Sequence, residues 1–368
     1  MYTPDPVPQL PRILFLARRY PPCVGGIETH CYQLYTRLSR LAPVCLVALR
    51  RQSLLHLAWF LPWAFLVAFW KVLWRRVEVV YFSDGVVGAL APLLRPFGAA
   101  RFACTIYGLE MTYRNRLARG LMVCGARTCG RVAVISRNSY RIVAQRGVPE
   151  DKLVIIYLGV EPPTLDPEPA AALRSCFEAE HGVCFGRDRI LLNFGRQVRR
   201  KGVAEFLEKG MPLLAPDIRL IVGGKGPEVE RIRWVRERLG LQDRVLLIGP
   251  PPDDVLAMLR GSADLFLMPN IHLETDVEGY GQTQLECMYA GTPVVAFAVD
   301  ALGESVREGG YLVEPGDYQG FADQIHRFYA MPPEKRRAKQ EEARTYVRRE
   351  YSWEETARQY LELFRGVR

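Results

Sequence analysis

Short apolar runs alternate with longer amphipathic stretches along most of the chain. Each run covers four to six residues and ends at a glycine or at polar residues, which predicts buried strands separated by helices. The predicted strands cover 12–17, 44–49, 78–82, 101–106, 131–136 and 153–156 in the first half, and 190–194, 218–222, 245–248, 265–268 and 294–297 in the second.

A change in composition divides this series into two. The stretch 161–188 is rich in proline, alanine and charged residues, which is typical of a linker followed by a short helix. A chain of 368 residues is long enough for two domains with a core each. We therefore predict an α/β protein with an N-terminal domain at 1–163, a C-terminal domain at 164–351 and a last helix at 352–368, with Ser352 as its N-cap.

Residues 53–70 form an apolar stretch without formal charge. Its length is at the lower limit for a membrane span, and Pro62 interrupts it. At about 100° per residue, one narrow helical face collects four tryptophans. They are Trp59, Trp63, Trp70 and Trp74. Three interpretations stay open: a helix lying in a membrane interface, which tryptophans favour, a helix packed on the sheet, and a true span.

The formal net charge of +9 is concentrated in the first half of the chain. Residues 1–163 hold 21 lysines and arginines against 8 acidic residues, while residues 164–368 hold 28 against 32. Such asymmetry indicates an anionic partner. The sequence shows no nucleic-acid-binding motif, so an anionic membrane surface is favoured over nucleic acid. The N-terminus lacks the pattern of a signal peptide, and we expect a cytoplasmic protein, peripheral on the cytoplasmic face of the membrane.

The stretch from 278 to 295, EGYGQTQLECMYAGTPVV, carries the strongest chemical signal. Glu278 and Glu286 stand eight residues apart, and a glycine turn between them leads into a helix predicted over 282–290. A glycine turn at a helix start presents free backbone N–H groups and the positive end of the helix dipole to a phosphate. Carboxylates accept hydrogen bonds from sugar hydroxyls. The stretch therefore predicts a nucleotide-sugar site, the alternative being a plain turn with a solvated Glu278.

This stretch resembles the E-x7-E segment of the retaining family 4 glycosyltransferases, which have the GT-B fold. The resemblance covers residues 12 to about 364 and is strongest over 190–317. It implies two Rossmann-like domains facing each other across a cleft, with the final helix crossing back to the first domain. It also implies that Glu278 contacts the transferred sugar and that Glu286 holds the nucleotide ribose.

Other positions match the donor site of that family. Arg196 and Lys201 match paired basic residues that neutralise the leaving diphosphate, although ordinary surface charge would show the same pattern. The resemblance assigns donor binding also to Gly25, Gly26, Gly224, Gly249, Tyr280, Gly281 and Gln282. Tyr107 and Glu110 match a position where a family histidine touches the transferred sugar. We expect them to contact the acceptor or the sugar, but a tyrosine cannot act as a base near neutral pH.

The expected function is transfer of a sugar, with its anomeric configuration retained, from a UDP- or GDP-sugar to a lipid-linked or polysaccharide acceptor. The basic residues and the backbone N–H groups would carry the phosphate charge, so we expect neither a metal nor another cofactor. The nine cysteines form no regular framework and are expected to be reduced thiols, and the five histidines are scattered. Two alternatives stay open: a nucleotide-sugar epimerase-like enzyme on the same fold, and a non-catalytic membrane-associated scaffold.

Overall fold

The chain divides into two compact units, each with its own sheet. A computed structural model describes residues 10–366, apart from 24, 52, 114, 163–164, 275 and 277–279. The chain passes from the first unit to the second after Gly159 and returns to the first after Glu350. Each unit contains one parallel six-stranded sheet with helices. The predicted α/β class is therefore confirmed.

The first unit contains a sheet of mostly buried strands. They are β1 (Ile13–Ala17), β2 (Val44–Ala48), β3 (Val79–Phe82), β4 (Arg101–Ile106), β5 (Arg131–Val134) and β6 (Leu153–Ile155). Its helices are α1 (Gly26–Leu41), α2 (Leu54–Leu73), α3 (Gly85–Gly88), α4 (Ala91–Leu94), α5 (Arg116–Thr128), α6 (Arg137–Gln145) and, at the end of the chain, α15 (Trp353–Arg365). The strand order is β2-β1-β3-β4-β5-β6. These strands are the predicted ones, with ends that differ by at most two residues. They were predictable because strands buried on both sheet faces form clear apolar runs in a sequence.

Helix α2 is buried on one face and exposed on the other. Four residues that recur at helical spacing are at most 1% exposed: Phe60, Ala64, Ala68 and Val72. The predicted tryptophan face is exposed, at 53% for Trp59, 44% for Trp63, 51% for Trp70 and 59% for Trp74. The helix continues through Pro62, contrary to the expected interruption. Pro62 and Ala58 both lie on the exposed side, so the carbonyl that loses its N–H partner can bond to water.

By length and composition, α2 provides the one candidate membrane span within the part of the chain that the structure describes, Leu55–Leu73. Only 22% of its apolar window is buried in the protein. A single helix of this kind is weak evidence for a span, since core helices of soluble proteins also meet these criteria. Its inner face belongs to the core of the first unit, so packing on the sheet is part of its role, and the interfacial interpretation of its outer face stays open.

The last helix, α15, packs in the first unit. Tyr360 and Phe364 contact the ring of Tyr81 on β3, and the hydroxyl of Tyr360 lies 2.7 Å from Oγ1 of Thr105 on β4. At the start of this helix, the ring of Trp353 lies so close to Gly159 that a Cβ atom on the glycine would overlap it. The chain thus leaves and re-enters the first unit at neighbouring points.

The second unit repeats the arrangement of strand, loop and helix. Its strands are β7 (Arg189–Phe194), β8 (Ile218–Gly223), β9 (Val245–Gly249), β10 (Leu265–Met268), β11 (Val294–Phe297) and β12 (Gly310–Val313), in the order β12-β11-β10-β7-β8-β9. Its helices are α7 (Pro167–His181), α8 (Val203–Lys209), α9 (Val229–Arg238), α10 (Asp253–Ser262), α11 (Gln282–Ala290), α12 (Leu302–Ser305), α13 (Tyr318–Ala330) and α14 (Pro333–Glu350). Strand β12 was not predicted, whereas the helix predicted over 282–290 is α11.

Candidate active site

The predicted donor-site residues of the second unit lie in loops that follow neighbouring strands. Strands β10, β7, β8 and β9 are adjacent and parallel, so the loops after them meet at the carboxyl edge of the sheet, where ligands bind in such folds. The described residues in these loops or at their ends are Arg196, Lys201, Gly224, Gly249 (the last residue of β9), Tyr280, Gly281 and Gln282 (the first residue of α11). The structure therefore gathers these residues at one sheet edge.

The loops after β7 and β8 lie directly on each other. A Cβ atom on Gly224 would overlap the carbonyl oxygen of Gly195, and one on Gly226 would overlap that of Gln197. The backbone N–H of Gln197 donates to the carbonyl of Lys225 at 2.9 Å. Both loop glycines have positive φ, 113° for Gly224 and 158° for Gly226. Glycine is required here for backbone packing, and such main-chain loops can bring N–H groups close to a phosphate.

Arg196 and Lys201 have different surroundings on the same loop. Arg196 is exposed, whereas Lys201 is only 7% exposed and ends a 3-10 turn, Arg199–Lys201. Lysine is rarely that buried, and a buried ammonium group must be matched by polar or anionic groups. This setting suits a lysine that serves an anionic ligand, but the diphosphate contact of both residues stays a prediction.

Gln197 is a buried polar residue that the sequence analysis missed. It is 2% exposed, and its amide nitrogen donates to the carbonyl of Gly223 at 2.8 Å and to Oδ1 of Asn193 at 3.2 Å. Its Oε1 has no hydrogen-bond partner among the described residues. Gln197 ties the end of β7 to the end of β8 and so fixes the loops that would surround a phosphate. Nothing in the sequence marked it, because its contact with β8 joins residues 26 positions apart.

Arg200 anchors the loop that leads to Glu278. Its Nη1 lies 2.9 Å and 3.0 Å from the two carboxylate oxygens of Asp276, and its backbone carbonyl accepts from the N–H of Ile271 at 2.9 Å. Glu278 itself, with Gly279, lies outside the described residues, so its predicted role in contacting the transferred sugar stays a prediction. The Arg200–Asp276 pair was not predicted, since the two residues are 76 positions apart.

Helix α11 begins at the predicted glycine turn. Gly281 is its N-cap with φ 75°, a left-handed conformation that favours glycine. One turn later Gln284 is fully buried, and its amide nitrogen donates to Oγ of Ser305 at 2.8 Å. This buried amide fixes the start of the helix. The first N–H groups of an α-helix have no partner within the helix, and at this start they are placed as an anion site requires.

Glu286, on α11, has a buried cationic partner that the sequence did not indicate. Its carboxylate forms an ion pair with Arg260 on α10 and accepts from Nε2 of Gln282 at 3.1 Å. Burial raises the pKa of Glu286, while Arg260 opposes that shift. One carboxylate can accept several hydrogen bonds at once, so pairing with Arg260 leaves capacity for other donors. Its contact with a ribose stays a prediction.

In the first unit, the predicted glycine pair stands at the start of α1. Gly25 is the N-cap and Gly26 the first residue of the helix. A Cβ atom on Gly25 would overlap the carboxylate of Glu28, which is 1% exposed and lies 3.0 Å from Nη1 of Arg19. A carboxylate near a helix start is favourably placed in the dipole field. The helix start is therefore already held by a protein carboxylate, and the contact of both glycines with a diphosphate stays a prediction.

Tyr107, after β4, contacts His30 on α1. The tyrosine hydroxyl lies 2.7 Å from Nδ1 of the histidine, and both side chains are buried. Burial lowers the pKa of His30 to about 3 and raises the pKa of Tyr107 well above its ordinary value, so both are neutral at physiological pH. The hydroxyl thus serves a contact inside the unit that the sequence did not suggest, and contact of Tyr107 with a sugar stays a prediction.

Three charged residues meet at the carboxyl edge of the first sheet. Arg18, Asp84 and Glu110 follow β1, β3 and β4, which are neighbours. Arg18 Nε lies 2.9 Å from Oδ2 of Asp84. Glu110 is 4% exposed; its Oε2 accepts from the N–H of Tyr107 at 3.1 Å, and its Oε1 has no hydrogen-bond partner in the described part of the chain. Burial, reinforced by the charge of Asp84, raises the pKa of Glu110 to about 7. This edge therefore holds a carboxyl group that changes charge near neutral pH.

The described residues also bear on metal binding and thiol chemistry. Among them, no three side chains of histidine, cysteine, aspartate or glutamate come together as a metal would need. All nine cysteines are free thiols. Metal independence of the reaction stays a prediction.

Comparison with known proteins finds a family match within the second unit. Residues 180–346 match the family described as glycosyl transferases group 1. A D-inositol 3-phosphate glycosyltransferase from Corynebacterium urealyticum is 34% identical over 184 residues, which are 47% of this chain and 42% of the relative. A GDP-mannose-dependent alpha-(1-6)-phosphatidylinositol monomannoside mannosyltransferase from Mycolicibacterium smegmatis is 28% identical over 265 residues, 70% of this chain and 68% of the relative. The chain thus spans less than half the length of the first of these relatives.

A solved structure extends the likeness to both units. Anabaena HepE in complex with UDP superimposes with a TM-score of 0.75 at 19% identity, covering 96% of this chain and 100% of that protein. At this identity the likeness concerns the fold, and it confirms the predicted GT-B architecture. The match to the glycosyl transferases group 1 family itself covers residues 180–346, which lie within the second unit.

Proposed function

We propose that this protein transfers a sugar from a nucleotide-sugar donor to an acceptor hydroxyl, with the anomeric configuration retained. The observation that carries the proposal is the loop cluster at the carboxyl edge of the second sheet, which lies within the family domain. There, glycine-packed main-chain loops, two basic side chains and the start of α11 converge. Both curated relatives described above have names that state sugar transfer.

In this proposal the second unit binds the donor. Arg196, Lys201 and the N–H groups at the start of α11 stabilise the diphosphate as its negative charge develops. Glu286 accepts hydrogen bonds from the ribose, and Glu278 positions the transferred sugar. No protein nucleophile is assigned, and the acceptor attacks from the face that the diphosphate leaves. The phosphate charge is matched without a metal.

The donor is a UDP- or GDP-sugar. HepE was solved with UDP, and the name of the mycobacterial relative states GDP-mannose. These two proteins differ in their bases, so the likeness supports both donors.

The acceptor is a lipid-linked or polysaccharide glycan, and the first unit meets the cytoplasmic face of an anionic membrane. The name of the mycobacterial relative states a phosphatidylinositol glycolipid. The exposed tryptophans of α2, described above, form an apolar face beside cationic residues at the end of this helix, Lys71, Arg75 and Arg76. Tryptophans settle at the headgroup level, and nearby basic side chains add attraction to anionic lipid.

A direct assay tests the transferase. The purified protein is incubated with UDP- and GDP-sugars in turn, together with a bacterial membrane-lipid extract and an oligosaccharide panel, and the products are analysed by mass spectrometry. We expect one donor to give an acceptor heavier by one sugar, with the donor anomer retained by NMR, and EDTA to leave the rate unchanged. A Lys201→Ala variant serves as the control for background hydrolysis. Epimerised donor without any glycosylated acceptor would establish the epimerase instead, and binding without turnover would support the scaffold.

A further inference from the structure

A cavity of about 350 Å³ lies within the second unit at the C-terminal ends of α10 and α11. This volume is at the lower end of small-molecule pockets. Its lining includes Gly261 and Ser262 from α10, and Tyr289 and Ala290 from α11. The proposed donor site lies at the other end of α11, where the helix begins. The cavity is therefore a separate feature, joined to the donor site through one helix.

The walls of the cavity are basic. Arg260, Arg344 and Arg348 line it, and no carboxylate is among its described lining residues. Arg344 has a structural role, because it donates to the carbonyl of Ala290 at 3.0 Å and pairs with Glu341. Arg348 differs: its guanidinium lies 4.9 Å from the centre of the Tyr289 ring, and it has no ion pair within the described ranges. Its charge is available to a ligand.

Arg260 supplies a second, independent indication. It is only 6% exposed, and its Nε is buried without a hydrogen-bond partner among the described residues. Its Nη2 is the atom that pairs with Glu286. A buried N–H without a partner is costly, and an anion in the adjacent cavity would satisfy it. The same guanidinium would then contact both the anion and Glu286.

We propose that this cavity binds a small phosphorylated molecule through Arg348 and Arg260, and that its occupancy controls the donor site through Glu286. Arginine matches a phosphate group with several charge-assisted hydrogen bonds, and the hydroxyl of Ser262 is a further donor at the rim. The apolar lining of Ala257 and Met258 accommodates the body of the ligand. Binding to the cavity stands independently of the proposed function, whereas control of the donor site rests on it.

The direction of this control follows from the shared guanidinium. When a phosphate accepts hydrogen bonds from Arg260, the guanidinium is shared between the phosphate and Glu286. The carboxylate of Glu286 then has more capacity to accept hydrogen bonds from ribose hydroxyls. Phosphate in the cavity should therefore strengthen nucleotide binding, and by linkage the nucleotide should strengthen phosphate binding by the same factor. Phosphate that merely competed for the diphosphate site would have the opposite effect.

Binding to the cavity is tested by calorimetric titration with inorganic phosphate. Loss of a charge-assisted contact in Arg348→Ala should weaken phosphate binding about tenfold or more. Arg349→Ala is the matched control, because the neighbouring arginine pairs with Glu308 and Glu350 and does not line the cavity. Equal binding by wild type and Arg348→Ala would overturn the proposal, as would loss of binding only in Lys201→Ala, which would place the phosphate in the donor site.

Control of the donor site is tested by titrating UDP or GDP, whichever binds, with and without saturating phosphate. We expect phosphate to tighten nucleotide binding about fivefold in wild type and to have no such effect in Arg348→Ala. Unchanged or weakened nucleotide binding in wild type would overturn the control. If neither nucleotide binds at all, the proposed function fails, while the phosphate titration still decides whether the cavity is a site.

Discussion

Replacement of Glu110 by glutamine should change how the stability of the first unit depends on pH. Burial holds the pKa of this carboxyl at about 7, against an ordinary value of 4.5. Below pH 4.5 the carboxyl is protonated in both folded and unfolded chains. Between these two values the unfolded chain releases the proton and the folded chain keeps it, so stability falls as pH rises. At about 1.4 kcal/mol per pH unit, the loss is about 3 kcal/mol by pH 7 and stays constant above it.

The Glu110→Gln variant removes this titration while keeping the shape of the side chain. Its amide oxygen can still accept from the N–H of Tyr107. Urea unfolding monitored by tryptophan fluorescence suits the measurement, because five of the six tryptophans lie in the first unit. The sixth, Trp234, is replaced by phenylalanine in the parent and in all variants. We expect the unfolding free energy of the parent protein to fall from pH 5 to pH 7.5, and that of Glu110→Gln to fall about 2.5 kcal/mol less.

Glu362→Gln provides the control, since Glu362 is exposed on α15 in the same unit. The unfolding free energy of Glu362→Gln should depend on pH in the same way as that of the parent protein. Parallel profiles for the parent and Glu110→Gln between pH 5 and 7.5 would refute the assignment of a raised pKa to Glu110. A parent protein that gained stability relative to Glu110→Gln as the pH rose through the ordinary carboxyl range would show that the carboxylate is held by favourable contacts and that burial does not dominate.

Three other outcomes are expected. Lys201→Ala should slow turnover and weaken donor binding by about 2–4 kcal/mol, measured by steady-state kinetics and calorimetry. Unchanged kinetics would show that Lys201 does not contact the donor phosphates. Trp59→Ala combined with Trp63→Ala should reduce sedimentation with anionic vesicles, whereas the folded core should be unaffected because both side chains are exposed; binding equal to the parent would argue against insertion. Gly224→Ala should destabilise the second unit by about 2 kcal/mol or more, while Gly303→Ala, where a Cβ meets no atom within 4 Å, should be nearly neutral in urea unfolding.

All strands but β12 were predicted, because each is a largely buried apolar run whose length and boundaries are local properties. Residues 294–297 illustrate this: VVAF is buried at all four positions and is bounded by Pro293 and Ala298. Helix α11 was predictable for the same reason, since Gly281 and Gly291 mark its ends within nine residues. The pattern for α2 suggested an interruption at Pro62 that does not occur, because the effect of a proline depends on whether the freed carbonyl reaches water.

The contacts of the candidate site were not predictable, because they join residues far apart in the chain. Arg260 pairs with Glu286 across two helices, and Arg200 pairs with Asp276 across 76 positions. No periodicity marks such partners in one sequence. The family resemblance selected residues that the fold brings to one sheet edge, but it could not show that Lys201 is buried while Arg196 is exposed.

The close approach of Gly159 to Trp353 has a consequence for how the two units are related in the chain. Since the polypeptide leaves the first unit and returns to it at neighbouring points, residues 160–350 amount to an insertion into an otherwise continuous first unit. A short bridge from Gly159 to Tyr351 could therefore rejoin the first unit without the inserted segment. The architecture permits each unit to be exchanged as a module, so a given second unit could be combined with different first units through only two crossing points.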